Sequence, residues 1–156
     1  INSLNYKIKD KKILILGAGG VVPSLIVALN KLEASEITIS NRTSKKAEDL
    51  KIQFNKINTV SWGEVPDFDM IINATSLGLN NETIDLNTSN IGEGKFFYDV
   101  IYNPNETNFL KLGKKLGNQI ENGKLMFIYQ AFEAFRLWHG VEPNVSEKIL
   151  KLLDHD

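Results

Sequence analysis

The run Lys12-Ile-Leu-Ile-Leu16 is apolar on consecutive positions and stops at Gly17-Ala-Gly-Gly20, the pattern of a strand buried on both faces that ends in a tight turn. Val22, Leu25, Ile26, Leu29 and Leu32 then recur at the spacing of one helical face. Pro23 is acceptable there, because first-turn amides have no intrahelical partner. Glu36-Ile-Thr-Ile-Ser40 alternates β-branched residues as a second strand, and Ala47, Leu50, Phe54 and Ile57 mark the stripe of a second helix. Apolar runs near Asn58–Ser61, at Met70–Asn73 and at Phe96–Val100 predict three more strands, joined by helices or loops. Thr107 is placed to cap a helix running to about Gly117, and Asn118–Ile120 offers a sixth strand.

The helix predicted over Gly123–Trp138 differs from the others. Leu125 to Tyr129 are consecutive apolar residues, so its first turns should be buried against more than one neighbour, one of which is expected to lie outside this chain. A last amphipathic helix is predicted over Val145–Leu153, with Val145, Ile149, Leu152 and Leu153 inward. There are no repeats, low-complexity tracts or internal linkers. The alternation of strand and helix predicts an α/β fold, a Rossmann-type doubly wound parallel sheet, as one domain over residues 1–156.

Composition narrows the picture. The 156 residues are 42% apolar and 24% charged, the balance of a chain that buries a core rather than staying disordered. A net charge of −1 gives no general attraction to a phosphate backbone, so no nucleic-acid partner is expected. The chain has no cysteine, which removes disulfides, thiolate metal sites and thiol nucleophiles and favours an intracellular, cytoplasmic location. No metal site is expected. No apolar stretch approaches the roughly 20 residues that cross a bilayer, so no membrane association is expected either. The first strand begins soon after Ile1, which raises the expectation that natural sequence precedes it.

The strand, Gly17-x-Gly19-Gly20, helix arrangement suits a diphosphate, because backbone amides must approach the ligand closely and side chains would hold it off. Val22 stands where the dinucleotide fingerprint has a third small residue, so a tight turn without a ligand remains the alternative. Cofactor type is read at the end of the second strand. NAD-binding domains place a carboxylate about 20 residues past the glycines to hold the ribose hydroxyls. Here Ser40-Asn41-Arg42-Thr43 stands instead; no carboxylate repels a 2′-phosphate, and Arg42 brings a planar fork of donors. NADP is therefore expected. Read singly, Arg42 would be a solvated cation and Thr43 a helix cap.

Five blocks together, Gly17-Ala-Gly-Gly-Val21, Asn41-Arg-Thr43, Asn73-Ala-Thr75, Tyr98-Asp-Val-Ile-Tyr-Asn-Pro104 with Thr107, and Gly123 through Met126 to Gln130-Ala131, resemble the shikimate dehydrogenase family in order and spacing. The resemblance runs over nearly the whole chain. It implies that Gly17, Ala18, Gly19, Gly20 and Val21 hold the NADP diphosphate and that Asn41, Arg42 and Thr43 hold the 2′-phosphate, aided by Lys46. Lysine there departs from the family pattern, supplying charge without a planar clamp. It further implies that Ala74 and Thr75 sit beside the ribose, Val100 and Gly123 at the nicotinamide end, and Tyr102 and Gln130 toward the substrate. The residues alone leave Tyr102 open between a ligand contact at the sheet edge and a capping aromatic, and Gln130, if buried, between a substrate hydroxyl and a backbone group.

Shikimate dehydrogenases resemble a two-domain clamp whose N-terminal domain supplies a Lys and Asp pair, and no residue here matches that pair. The expectation is thus an enzyme interconverting 3-dehydroshikimate and shikimate with NADPH, of which this chain carries the cofactor half and no catalytic residue, and which does not turn over alone. A quinate/shikimate dehydrogenase using NAD and a non-catalytic NADP-sensing module are the alternatives, and a Rossmann-like methyltransferase fits less well. The apolar start of the Gly123 helix invites a homodimer. Asp99 is read as a structural residue orienting a loop, His139 as an ordinary helix-end residue, His155 as part of the tail, and Trp62 and Trp138 as packing residues.

Overall fold

The computed structural model describes residues 6–144 and 146. Its strands are β1 (Lys12–Leu16), β2 (Glu36–Ser40), β3 (Asn58–Val60), β4 (Met70–Asn73), β5 (Phe96–Asp99) and β6 (Gln119–Glu121), and its helices α1 (Val22–Lys31), α2 (Ser44–Gln53), α3 (Asn108–Lys115) and α4 (Lys124–His139). All strand pairs are parallel, in the order β3-β2-β1-β4-β5-β6. This is the doubly wound order, with its switch point between β1 and β4, and the single α/β domain expected from the sequence is what the chain forms. The helix expected over Val145–Leu153 lies outside the described residues, apart from Ser146.

The apolar strands divide their side chains between two layers. Ile13, Ile15, Ile37, Ile39 and Ile72 pack with Val22, Leu25, Ile26 and Leu29 of α1 and with Ala47 and Leu50 of α2. Leu14, Leu16, Ile71 and Phe97 face the other way, onto Phe109 and Leu110 of α3. Burial on both faces is why β1 reads as an unbroken apolar run rather than an alternating one. Between β4 and β5 the chain forms no helix; residues 74–95 cross that second face as an irregular segment anchored by Ile84 and Leu86. No described helix is long and apolar enough to cross a membrane.

Several boundaries move for local reasons. β5 stops at Asp99, one residue short of the expected end, because the Asp99 carboxylate accepts the Ile101 amide at 3.0 Å and turns the chain. β6 starts one residue late, since the Asn118 side chain accepts the Lys95 amide at 2.8 Å and its own amide closes α3 onto Gly113. α2 ends at Gln53, so Phe54 is its half-buried cap, while Ile57 is buried beyond the helix. Thr107 caps α3 as expected, its hydroxyl accepting from the Leu110 amide.

The largest departure is α4. Only Ile128 of this helix is buried; Phe127 and Tyr129 are exposed, and Trp138, expected to pack, is 80% exposed. Met126 packs against the first layer and Phe127 stacks on Tyr102, while Tyr129, Phe135 and Trp138 keep much of their surface exposed. Leu137 and Val141 extend the same exposed surface.

The contrast between the two aromatic environments is testable. Phe97 is fully buried, with its ring 5.1 Å from Phe109 and 6.1 Å from Phe68. Phe97→Ala should lower the unfolding free energy by about 3–5 kcal/mol. Trp138→Ala should change it by less than about 0.5 kcal/mol, as for other surface substitutions. Urea unfolding of both variants measures the difference.

Candidate functional site

The carboxyl edge of the sheet holds the site. Gly17 leaves β1 with its amide donating to the Ser40 carbonyl at 2.8 Å, and the Ala74 amide donates to Leu16 at 2.8 Å, so the ends of β1, β2 and β4 are drawn together. Gly17 adopts φ +110°, and a Cβ there would lie 2.8 Å from the Ala74 carbonyl oxygen. Only glycine satisfies both conditions. Among the described residues the amides of Ala18, Gly19, Gly20 and Val21 donate to no protein acceptor. Val21 caps α1 without a side-chain hydrogen bond, and no acid sits in the first turn, so the positive end of the helix dipole is unopposed. Val22, which departs from the fingerprint, is fully buried in the first layer and does the helix-to-sheet packing itself.

At the end of β2 the buried Ser40 hydroxyl donates to the Ser61 carbonyl at 2.9 Å, which fixes where the next residues emerge. The Asn41 amide side chain donates to the Thr43 carbonyl at 2.8 Å, shaping the turn into α2. Thr43 holds the cap position, yet its hydroxyl accepts no helix amide, and the first turn of α2 is also free of acids. Arg42 and Lys46 are exposed, and among the described residues neither side chain forms an ion pair or hydrogen bond.

These residues meet in a cleft of about 290 Å³. Gly17, Ala18 and Gly19 form one side, Asn41, Arg42, Thr43 and Lys46 the second, and Ala74 and Thr75 the third. Trp62, Ser76 and Leu77 complete it. No carboxylate lines it. Two unopposed helix starts, free amides and two unpaired cations make a site for an extended phosphate ester. Trp62 was not among the cleft residues expected from the sequence. It packs on the second layer as expected and also faces the cleft; its place just past the end of β3, on the ligand edge of a parallel sheet, was the available signal.

Other site candidates fall elsewhere. Gly20 is exposed outside the cleft lining, and Val21 turns to a separate apolar groove of about 800 Å³ between α1 and α4. Val100 and Gly123 are adjacent at the end of β5: the Gly123 amide donates to Ile101 at 3.0 Å, and any Cβ on Gly123 would collide with the Val100 carbonyl. Tyr102 stacks on Phe127 of α4 with ring centroids 4.6 Å apart. Gln130 is exposed and borders the α1–α4 groove, so burial does not oblige it to find a partner within the chain. His139 is an exposed helix-end residue against Phe135.

Behind the cleft wall lies a buried polar chain. The Asn73 amide nitrogen donates to Asp99 Oδ1 and to the Leu77 carbonyl, both at 3.0 Å. Its oxygen accepts the Thr75 amide at 3.1 Å and the Thr75 hydroxyl at 2.7 Å, and that hydroxyl accepts the Leu77 amide at 3.0 Å. Asp99 also accepts from the Thr107 hydroxyl at 2.6 Å and from the Ile101 amide. Burial pushes its carboxyl above the ordinary carboxylate range, against the opposing pull of those donors from Thr107, Ile101 and Asn73. Asp99 thus holds two loops, the orienting role read from the sequence.

The chain matches the family model described as Shikimate / quinate 5-dehydrogenase over residues 2–99 and that described as Shikimate 5'-dehydrogenase C-terminal domain over residues 125–147. It is 57% identical over 155 residues to a protein named Shikimate dehydrogenase (NADP(+)) from Pelagibacter ubique, covering 99% of this chain and 58% of that one. The ligand-free 5-ketofructose reductase of Gluconobacter sp. superposes with a TM-score of 0.86 at 30% identity, over 98% of this chain and 59% of that one. Shikimate 5-dehydrogenase from Thermus thermophilus, solved with NADP(H) and shikimate, gives 0.84 at 28% identity, over 97% and 58%. The chain thus spans little more than half the length of these relatives.

The turn after the cleft wall is tied by a carboxylate. Glu82 accepts the Asn80 amide at 2.9 Å and the Gly78 amide at 3.1 Å. Bonds from the amides of Asn80, of Glu82 itself and of Gly78 lower its carboxyl from 4.5 to about 2. A carboxyl lowered by folding contributes stability above its ordinary value and loses it as the pH falls toward the folded one. The Gly78 and Asn80 amide NMR signals of the folded chain should therefore shift together with a midpoint near 2 rather than 4.5, and Glu82→Gln should remove that titration.

Proposed function

The chain belongs to the shikimate/quinate dehydrogenase family, and on that premise we propose that it is the NADP-binding domain of an enzyme that reduces 3-dehydroshikimate to shikimate. The observation that carries the cofactor assignment is the pair of unpaired cations, Arg42 and Lys46, on a cleft with no carboxylate in its lining. A ribose 2′-phosphate is the group that such an edge would select over a plain ribose. The free amides of Ala18 and Gly19 in the cleft, with those of Gly20 and Val21 at the adjoining helix start, would take the diphosphate, and Ala74 and Thr75 would flank a ribose. Val100 and Gly123 would border the nicotinamide, with Tyr102 and Gln130 directed to the substrate side.

When bound, NADPH supplies the hydride that a ketone carbon must receive. This chain's residues hold and orient the nucleotide. A proton must also reach the developing alkoxide oxygen, and we assign that step to a Lys and Asp pair in the part of the relatives' length that this chain does not span. The exposed apolar surface of α4, with Phe127, Leu137 and Trp138, supports contact with such a part, or with a second copy when it is absent. A cytoplasmic enzyme is consistent with this reading.

Two measurements test it. By titration calorimetry, Arg42→Ala should weaken NADP binding roughly 10- to 100-fold, the worth of charge-assisted hydrogen bonds, and leave NAD binding unchanged. Equal loss for both nucleotides would contradict the assignment. The 156-residue chain given 3-dehydroshikimate and NADPH should show no turnover; a rate matching that of a two-domain dehydrogenase would contradict the division of labour.

A further inference from the structure

Asp99 is 0% exposed, and among the described residues it has no cationic partner. A buried carboxylate without a counter-charge is costly, and its three donors reduce the cost without cancelling it. What it holds gives the reason. The Asn73 amide group is fixed in orientation by fixed backbone groups: the Leu77 carbonyl can only accept, so it faces the nitrogen, and the Thr75 amide can only donate, so it faces the oxygen. Asp99 Oδ1 adds a second acceptor on the nitrogen side, 3.0 Å away. The Thr75 hydroxyl is then spent inside the turn, giving its proton to Asn73 and accepting from Leu77. Residues 74–77 are the cleft wall, and the Ala74 carbonyl is the group against which Gly17 is pressed. A drift of that wall would move the glycine turn with it.

We infer that Asp99 is a positioning residue for the nucleotide cleft, acting through Asn73 to hold the wall at Ala74 to Leu77 against Gly17. The inference rests on the NADP reading above and adds to it a residue that touches no ligand. At its other end Asp99 Oδ2 takes the Thr107 hydroxyl, so the same carboxylate also serves the cap of α3. The two ends are separable. In Asp99→Asn the side-chain oxygen can still face its two donors, Asn73 and the Ile101 amide, while the new nitrogen faces Thr107. The cleft end keeps its acceptor and the cap end loses one.

The test is a double-mutant cycle read as NADP dissociation constant and as thermal midpoint, on the full 156-residue chain. Asp99→Ala and Asn73→Ala should each weaken NADP binding about tenfold, the effect of a lost buried hydrogen bond that orders the site. The double variant should bind no more weakly than Asn73→Ala alone. Asp99→Asn should bind within about threefold of the unaltered chain. The thermal midpoint should behave differently, with Asp99→Ala lowering it in both backgrounds, because the Thr107 and Ile101 bonds are lost in each. Additive losses of affinity, or single variants that bind NADP normally, would overturn the inference. Should Asp99→Ala not fold, Asn73→Ser keeps a small polar group in the slot, and normal NADP affinity in that variant would overturn the inference as well. Failure of the unaltered chain to bind NADP overturns both readings. Binding that depends on Arg42, with additive losses at Asp99 and Asn73, overturns only this one.

Discussion

Six parallel strands end on one edge, and that constraint organises everything else in the molecule. Parallel strands need crossover connections, so each following segment must start where the strand stops. The starts of α1 and α2 therefore lie side by side at the ends of β1 and β2, with their dipoles pointing the same way. Such an edge attracts anions before any side chain is chosen. Gly17 admits the β4 end to close range, and the absence of acids from both first turns leaves the field intact.

In the reading proposed above, side chains then turn a general anion site into a selective one. Arg42 and Lys46 occupy the margin where a carboxylate would accept ribose hydroxyls, and nothing described in the chain neutralises them. The sheet keeps its apolar residues in two layers below this edge, so the polar groups at the edge are held by a rigid base. Asn73 and Asp99 extend that rigidity by one step, converting the ends of β4 and β5 into a fixed cleft wall.

Much of this was legible in the residues. Continuous apolar runs marked the limits of β1 and β4, because burial on both faces leaves no room for a slip in pattern, and alternating β-branched residues marked those of β2. The limits of β5 and β6 depend instead on single side chains, Asp99 and Asn118, that capture backbone amides, an event that periodicity does not register. The Asn41-Arg42-Thr43 edge and the glycine turn could be read because strand ends are local. The Asn73–Asp99 bond joins residues 26 positions apart, and only strand pairing brings them together. α4 misled for the opposite reason: its consecutive apolar residues predict burial on several sides, but the described chain covers few of them, and Gln130 and Trp138 are left exposed.

The central claim is that the end of β2 reads a phosphate on the ribose 2′ position, and small ligands isolate that contact from the rest of the cofactor. Adenosine 2′-monophosphate and adenosine 5′-monophosphate carry the same charge and differ in where it sits. Competition of each against a fluorescent nucleotide, at low salt, compares them directly. The account predicts that the 2′ isomer binds at least about tenfold more tightly, with an advantage that shrinks as salt screens the exposed cations. Equal affinity for the two isomers would contradict it.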